Sequence, residues 1–277
     1  MSQIILPTAR KQPTRHNPKI SVFYGAPKCG KTTAMAALPN TLIIDLEKGT
    51  ELLEAMAVQA TNIYEFGAIL DAVYNAGIEQ QRIPYEKIVI DNLTILDDWS
   101  TESAADTYRA TGMGKNFDSN NILDLPMGAG YHWHRKEVAD WIKKAAMLCK
   151  ELILIGHTKD KAINKGGKEV TVADLNLTGK LSNIVCGMVD ATALMYRDAK
   201  GNLRINFKQD GTVAGSRNKH LVNRDIILCY AGEEVFHWDR VFRDGLSDAE
   251  IEAIEAQIVK DDETSATPVS GSIAVNI

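Results

Sequence analysis

Four short apolar runs in the first 155 positions have the length of buried strands. These runs are apolar on both faces. Between them lie segments whose apolar residues recur at helical spacing. This alternation predicts a mostly parallel sheet with helices on both sides, an α/β fold in three layers. The predicted strands are residues 20–24, 41–45, 87–91 and 152–155, and the predicted helices are residues 31–38, 64–74, 93–108, 138–148, 181–189 and 246–259.

Three further segments have the composition of turns or loops. Residues 192–197 and 203–208 flank the turn Lys200-Gly201-Asn202, which predicts a late hairpin that extends the sheet with antiparallel strands. Lys165-Gly166-Gly167-Lys168 predicts another hairpin turn. Residues 112–130 are rich in Gly, Asn and Asp, so we predict a mobile loop there.

The turn between the first strand and the first helix has the spacing GxxxxGK[ST]. The glycines of this pattern let backbone N–H groups curl around a phosphate. Its lysine reaches the β- and γ-phosphate oxygens, and the hydroxyl of its last residue binds Mg²⁺. The motif therefore predicts a site for ATP and Mg²⁺, formed by Gly25, Ala26, Pro27, Lys28, Cys29, Gly30, Lys31, Thr32 and Thr33.

Polar residues at the ends of the other strands are candidates for the rest of that site. Asp91 can hold Mg²⁺ through water, or it can cap the following helix, a role that Asn92 or Thr94 could fill instead. Glu47 can orient or deprotonate the attacking water, or it is a solvated surface residue. His157 ends the fourth strand, where parallel sheets bind ligands, and is either a γ-phosphate sensor or a structural histidine.

Composition and charge favour a globular protein of the reducing cytoplasm. No apolar run reaches the ~18 residues of a membrane span, and the beginning of the chain has no signal-peptide pattern. The cysteines are scattered, which argues against a disulfide framework or a zinc site. The net charge of −5 argues against a uniformly basic DNA coat.

Charge and composition also divide the chain into three parts. Residues 1–19 hold four cations and no acid, so we expect a basic arm that binds phosphates, docks on a neighbouring copy or is disordered. Residues 20–259 form the predicted core, and residues 260–277 are a predicted disordered tail.

The order of the motifs resembles the core of RecA-type recombination ATPases over residues 20–225. The matching elements are residues 25–32, Asp45-Leu46-Glu47, Asp91 and Gly156-His157. The resemblance is greatest to compact phage versions, the RecA-like single-strand annealing proteins and related AAA-type phage nucleotide-binding proteins. It implies a P-loop NTPase with a RecA-like core and a DNA-stimulated ATPase activity.

The resemblance also implies roles for individual residues. Ile44-Asp45-Leu46-Glu47 matches a family strand that ends in the catalytic glutamate, which makes Glu47 the expected base. His157 stands where the family has a glutamine that couples the γ-phosphate to a DNA-binding loop. Arg217-Asn218-Lys219 matches a Lys-Asn-Lys segment that reaches the neighbouring subunit's ATP, so Arg217 and Lys219 are expected to join Lys31 in stabilising the transition state.

The expected partners are single-stranded DNA, further copies of the chain in a ring or filament, and a single-strand binding protein, in the cytoplasm of a bacterial host. We expect the accessory DNA-binding domain of larger relatives to be missing, which favours annealing or loading over strand exchange. Single-strand binders need cations and aromatic faces, and two predicted loops supply them. The first loop contributes Tyr131, His132, Trp133, Arg135 and Lys136, and the second Lys159, Lys161, Lys165 and Lys168.

Other interpretations of these residues and of the whole chain stay open. Trp133 or His134 can instead pack at the beginning of the following helix, and exposed lysines are common. A P-loop switch that controls a protein partner without DNA is an alternative function, and the acidic charge favours it. A small-molecule kinase is another, although the second loop has no arginine for a lid.

Overall fold

A sheet of mostly parallel strands forms the centre of the protein. Its computed structural model describes residues 6, 8–10, 12–165, 168–209 and 212–266. Within these residues the strands are β1 (Ile20–Gly25), β2 (Thr41–Asp45), β3 (Ala57–Gln59), β4 (Lys87–Asp91), β5 (Glu151–Lys165), β6 (Lys168–Leu175), β7 (Ala191–Arg197), β8 (Leu203–Asn206), β9 (Gly215–Ser216) and β10 (Asp225–Cys229).

The strand order is β10-β8-β7-β1-β5-β4-β2-β3, with β6 paired to β5 and β9 to β7. All neighbours from β7 to β3 are parallel, while β8 and β10 extend one edge in antiparallel fashion. The late hairpin is therefore confirmed as β7–β8. β3 and β10 are additional to the predicted strands.

Helices cover both faces of this sheet, as the apolar strands predict. The helices are α1 (Lys31–Ala36), α2 (Ile63–Gln80), α3 (Leu93–Arg109), α4 (Gly130–Ala146), α5 (Leu181–Met188) and α6 (Asp248–Ala266). One apolar core packs α2, α3, α4 and α5 against one set of alternate strand residues. The other packs α1 and the segment around Trp238 against the opposite set. The α/β prediction in three layers, with a P-loop NTPase fold, is confirmed.

β5 is much longer than its predicted core of residues 152–155. It pairs with β4 up to Ile155 and with β1 up to His157, and from Thr158 it leaves the sheet and pairs with β6. The predicted turn near Gly166-Gly167 therefore closes a long hairpin, and those two glycines lie outside the described residues. We call this element the β5–β6 hairpin.

The predicted loop over residues 112–130 is more ordered than its composition suggests. It contains two single-turn 3₁₀ helices, Ile122–Asp124 and Pro126–Gly128. Ile122 is fully buried against Ala104 and Ala105 of α3. α4 then begins at Gly130, so the prediction of a loop over residues 131–136 was wrong.

The N-terminal arm joins the core before residue 20. Asn17 is buried, and its side chain donates to Glu151 Oε1 at 3.1 Å and accepts from the backbone N–H of Arg243 and Asp244. Arg10 and Arg15 are exposed, whereas Ile4, Ile5 and Lys11 lie outside the described residues. The arm boundary at residue 19 stays a prediction, and Asn17 already contacts the core.

The last helix continues beyond Val259, so the prediction of a disordered tail from residue 260 was wrong as far as Ala266. Asp261 is buried and accepts hydrogen bonds from Tyr230 Oη and Arg240 Nη1, both at 2.8 Å. These bonds anchor α6 to Tyr230, directly after β10, and to Arg240 in the 3₁₀ helix Trp238–Arg240. The remaining tail, residues 267–277, lies outside the described residues.

Candidate functional site: a phosphate-binding loop at the carboxyl edge of the sheet

The loop with the GxxxxGK[ST] pattern joins β1 to α1 and surrounds a buried lysine. The ammonium of Lys31 donates to the carbonyl oxygens of Gly25 at 3.0 Å and Ala26 at 2.8 Å. Only 6% of Lys31 is exposed. The loop therefore holds a positive charge inside its own curve, which suits the binding of a phosphate chain.

Both glycines of the motif are required by the backbone of this loop. A Cβ atom at Gly25 would lie 2.3 Å from the carbonyl oxygen of Met195 in β7, closer than real contacts allow. Gly30 has a φ of 110°, in the region that side chains disfavour. The contacts of residues 25–33 with a nucleotide stay a prediction. The curved backbone of the loop has the shape that such contacts need.

The predicted metal ligands lie together beside this loop. Thr32 donates its hydroxyl to Asp91 Oδ2 at 2.6 Å. Burial, and then the nearby carboxylates of Glu47 and Asp45, raise the pKa of Asp91 above its usual value. Oxygen donors of this kind suit Mg²⁺, which usually binds one or two protein carboxylates and keeps phosphate oxygens and water as its other ligands.

Asn92 resolves the alternative role that the sequence left open for Asp91. The side chain of Asn92 accepts a hydrogen bond from the N–H of Ile95 at 2.9 Å and so caps α3. Asp91 is therefore not needed as the cap. No cluster of three or more His, Cys, Asp or Glu side chains that could hold a metal occurs in the described part of the chain.

The predicted base and the predicted sensor form a direct pair. His157 Nε2 lies 2.9 Å from Glu47 Oε1 and 3.2 Å from Oε2. Both side chains are partly exposed, at 36% for Glu47 and 24% for His157. The pair bridges the ends of β2 and β5, next to Asp91 at the end of β4 between them.

Asp45, which the sequence did not single out as a site residue, shapes the turn that carries Glu47. Its carboxylate accepts from the backbone N–H of Glu47 at 2.9 Å and from the N–H and hydroxyl of Thr50 at 2.8 and 2.6 Å. Burial opposes the charge, but these hydrogen bonds prevail and lower the pKa of Asp45. A fixed carboxylate therefore orients Glu47 towards the loop.

Arg217 and Lys219 lie far from this site within the same chain. β9, which precedes them, pairs with the beginning of β7. Arg217 donates to Gly187 O at 2.7 Å and lies 3.6 Å from Asp190. The beginning of β7 is at the opposite end of the strands from Gly25, ~13 Å away for four residues at ~3.3 Å per residue. The structure therefore does not bring these cations to their own phosphate loop.

The first group of predicted nucleic-acid residues lies on the first turns of α4. Tyr131, His132 and Lys136 are exposed, and Arg135 is half-buried. Trp133 packs against Tyr108 with a ring separation of 5.2 Å, while the ammonium of Lys136 lies 5.6 Å from the Trp133 ring. The alternative that Trp133 packs at the helix beginning therefore holds.

The second group lies on the β5–β6 hairpin, and two of its lysines have partners there. Lys159 donates to Leu177 O at 2.8 Å. Lys161 pairs with the buried carboxylate of Asp174 at 2.9 Å. The backbones of Lys165 and Lys168 form the last register pair before the tip.

A buried ion pair ties the base of this hairpin to α3 and α4. His134 Nε2 lies 3.0 Å from Asp97 Oδ1, and Asp97 Oδ2 accepts from the backbone N–H of Thr178 at 2.7 Å. Although burial lowers the pKa of His134, the hydrogen bonds to Asp97 prevail and raise it. The sequence offers His134 only as an alternative packing residue at the beginning of the helix, because its partner is 37 positions away.

Comparison with known proteins identifies the family. A family model described as an AAA domain matches residues 17–219, about three quarters of the chain. The match begins at Asn17, where the arm joins the core. A search of curated proteins found no match, and no helix in the described part of the chain is long and apolar enough to cross a membrane. With the phosphate loop and the carboxylates in place around it, the chain belongs to the AAA domain family and is an AAA-type P-loop ATPase.

Proposed function

We propose that this ATPase binds single-stranded DNA in its ATP state and promotes annealing or recombination as an oligomer. One observation carries the proposal. His157, which pairs with the expected catalytic residue Glu47, is also the last residue of β5 before the β5–β6 hairpin leaves the sheet. A change at the reacting phosphate therefore has a direct route to a projecting element.

The residues around the loop divide the chemistry among themselves. Lys31 would bind the phosphate oxygens, and Thr32 and Asp91 would hold Mg²⁺, which when bound would neutralise the charge that develops during transfer. Glu47 orients the attacking water and accepts its proton. His157 holds the Glu47 carboxylate in position through its Nε2.

The backbone supports coupling between His157 and the hairpin. The carbonyl oxygen of His157 accepts from the N–H of Asn176 at 2.9 Å, where the returning strand ends. The carbonyl oxygen of Asn176 accepts from the Thr94 hydroxyl at 3.1 Å, on α3 just beyond Asp91. One end of the hairpin is thus tied to His157, and the other to α3 close behind Asp91.

The surface proposed for DNA combines the hairpin with the beginning of α4. A Cβ atom at Gly179, just beyond the hairpin, would lie 3.3 Å from Tyr131 Cε1, so the two elements are neighbours. Together they offer exposed aromatic rings for base stacking and cations for the phosphate backbone. The residues are Tyr131, His132, Arg135 and Lys136 of α4 and Lys159, Lys161, Lys165 and Lys168 of the hairpin.

The position of Arg217 and Lys219 supports the proposed oligomer. A cation that lies at the edge opposite its own phosphate loop can act on ATP only in a neighbouring copy. We propose that Arg217 or Lys219 supplies this charge in trans and stabilises the transition state there. A single-strand binding protein is the proposed further partner, since annealing proteins must gain access to covered strands.

The ATPase rate with and without single-stranded DNA tests the proposal, together with DNA binding in the presence of a non-hydrolysable ATP analogue. We expect stimulation of the rate and analogue-dependent binding that weakens with salt. Mass photometry reports the assembly. An ATPase rate that single-stranded DNA does not change, together with no DNA binding at low salt, would refute the proposal.

A switch that controls a protein partner is the second candidate, and the hairpin lysines favour it. Lys159 and Lys161 already have partners within the chain, so fewer cations are available to a phosphate backbone. This candidate predicts slow hydrolysis that DNA does not change. The same pair of assays therefore separates the two functions.

A further inference from the structure

The phosphate loop packs directly against the end of β7, on the side away from the catalytic carboxylates. Gly25 is in register with Met195, and Cys29 Sγ lies 3.7 Å from the carbonyl oxygen of Met195. Arg197 follows two residues later, as the last residue of β7. Its position therefore places an exposed arginine beside the loop, and the family match assigns it no role.

The guanidinium of Arg197 lies against the outside of the loop at Gly30. Nη2 is 3.3 Å from the place that a Cβ atom would take on Gly30. Nη1 donates to the carbonyl oxygen of Gly201 at 2.9 Å, which holds the side chain from the far side. A side chain at Gly30 would therefore crowd the guanidinium, and glycine leaves it enough space.

The turn that anchors Arg197 is itself fixed by hydrogen bonds. Asp198 Oδ1 accepts from the backbone N–H of Lys200 at 2.9 Å and of Asn202 at 3.0 Å. Although burial opposes the charge, these hydrogen bonds prevail and lower the pKa of Asp198. The Gly201 carbonyl is therefore a rigid support, and the guanidinium is held in place before any ligand binds.

The order of the strands shows which end of a nucleotide meets Arg197. Glu47, Asp91 and His157 come from β2, β4 and β5, which all lie on one side of β1. The reacting γ-phosphate must therefore lie on that side. β7 is the neighbour of β1 on the other side, so the nucleoside end of the ligand leaves the loop towards β7.

Arg197 is also on the wrong side of the loop backbone for a phosphate contact. The buried ammonium of Lys31 marks the inside of the curve, where phosphates bind, whereas Arg197 faces the outer surface of Gly30. We infer that Arg197 binds the base of the nucleotide by stacking its planar guanidinium on the ring, an inference that rests on the proposed ATP site. Arginine is well suited to this because its charge is delocalised over a flat group.

Binding of Mg-ATP and of inorganic tripolyphosphate, measured by calorimetry, tests the inference. Arg197→Lys keeps the charge and removes the planar group, so we expect Mg-ATP to bind about tenfold more weakly and tripolyphosphate to bind as before. Arg197→Ala should weaken Mg-ATP binding to a similar extent. Arg82→Ala removes an exposed arginine at the opposite edge of the sheet and is the matched control.

Three results would overturn the inference. They are wild-type affinity for Mg-ATP in Arg197→Lys, an equal loss for both probes in that variant, and no loss in Arg197→Ala. Lys31→Ala separates this failure from failure of the proposed site, because it should lose both probes. If Lys31→Ala binds both as the wild type does, the phosphate site itself is misassigned, whatever Arg197 does.

Discussion

Replacing Glu47 with glutamine tests the assignment of the catalytic base with the least disturbance of the structure. The two side chains have the same shape, and the turn is held by Asp45 through the backbone N–H of residue 47, which the substitution keeps. The amide can still form a hydrogen bond with His157 Nε2, which lies 2.9 Å from the Glu47 carboxylate in the wild type. We therefore expect the fold and the affinity for Mg-ATP to stay unchanged.

The rate of hydrolysis should fall strongly in the same variant. A positioned general base contributes about 10²–10⁴-fold to a rate, which corresponds to about 3–5.5 kcal/mol of activation free energy. Phosphate release at saturating Mg-ATP measures kcat, and equilibrium binding measures the affinity separately. Glu54→Gln is the control, because Glu54 is an exposed glutamate a few residues further along the same segment. A kcat within about threefold of the wild type in Glu47→Gln would refute the assignment, since no base of that strength would have been removed.

Three further substitutions test other parts of the site. Lys31→Ala should abolish ATP binding with the fold intact by circular dichroism, and wild-type turnover would contradict the site. Gly25→Ala should cost about 1–3 kcal/mol in urea unfolding, because the new methyl group meets the Met195 carbonyl oxygen; no loss would mean that β7 moves freely. His134→Ala leaves the buried Asp97 carboxylate unpaired and should cost about 3–5 kcal/mol. The pair raises the pKa of His134 above 6.5. Its contribution to the free energy of unfolding is therefore complete below about pH 6.5 and is lost as the pH rises through the raised pKa. The variant should show a weaker dependence of stability on pH over this range.

The parts of the fold that the sequence predicts well are those with local causes. The strands that surround the loop are apolar on both faces, and the phosphate motif fixes its own turn through Gly25 and Gly30. The beginning of α4 was missed for the opposite reason. Gly, Asn and Asp in residues 112–130 are typical of loops, but burial of Ile122 against α3 outweighs the local preference.

Contacts between distant residues account for what the sequence could not predict. Glu47 and His157 are 110 positions apart, and each was assigned alone, so their pairing was not foreseen. The sequence places Arg197 at the end of a predicted strand and gives it no site role, because no motif surrounds it in the chain. Only the pairing of β7 with β1 brings it to the phosphate loop.

The position of β1 between β5 and β7 gives the two ends of a bound nucleotide different surroundings. On the β5 side, where the β5–β6 hairpin begins, we expect the carboxylates and His157 to meet the phosphate that reacts. On the β7 side, Arg197 is held by a fixed turn that does not lead to the hairpin. Loss of Arg197 should therefore weaken binding without changing the response to DNA, whereas loss of His157 should do the reverse. Residues on one side of β1 would then set the affinity for the nucleotide, and residues on the other side would couple its hydrolysis to DNA.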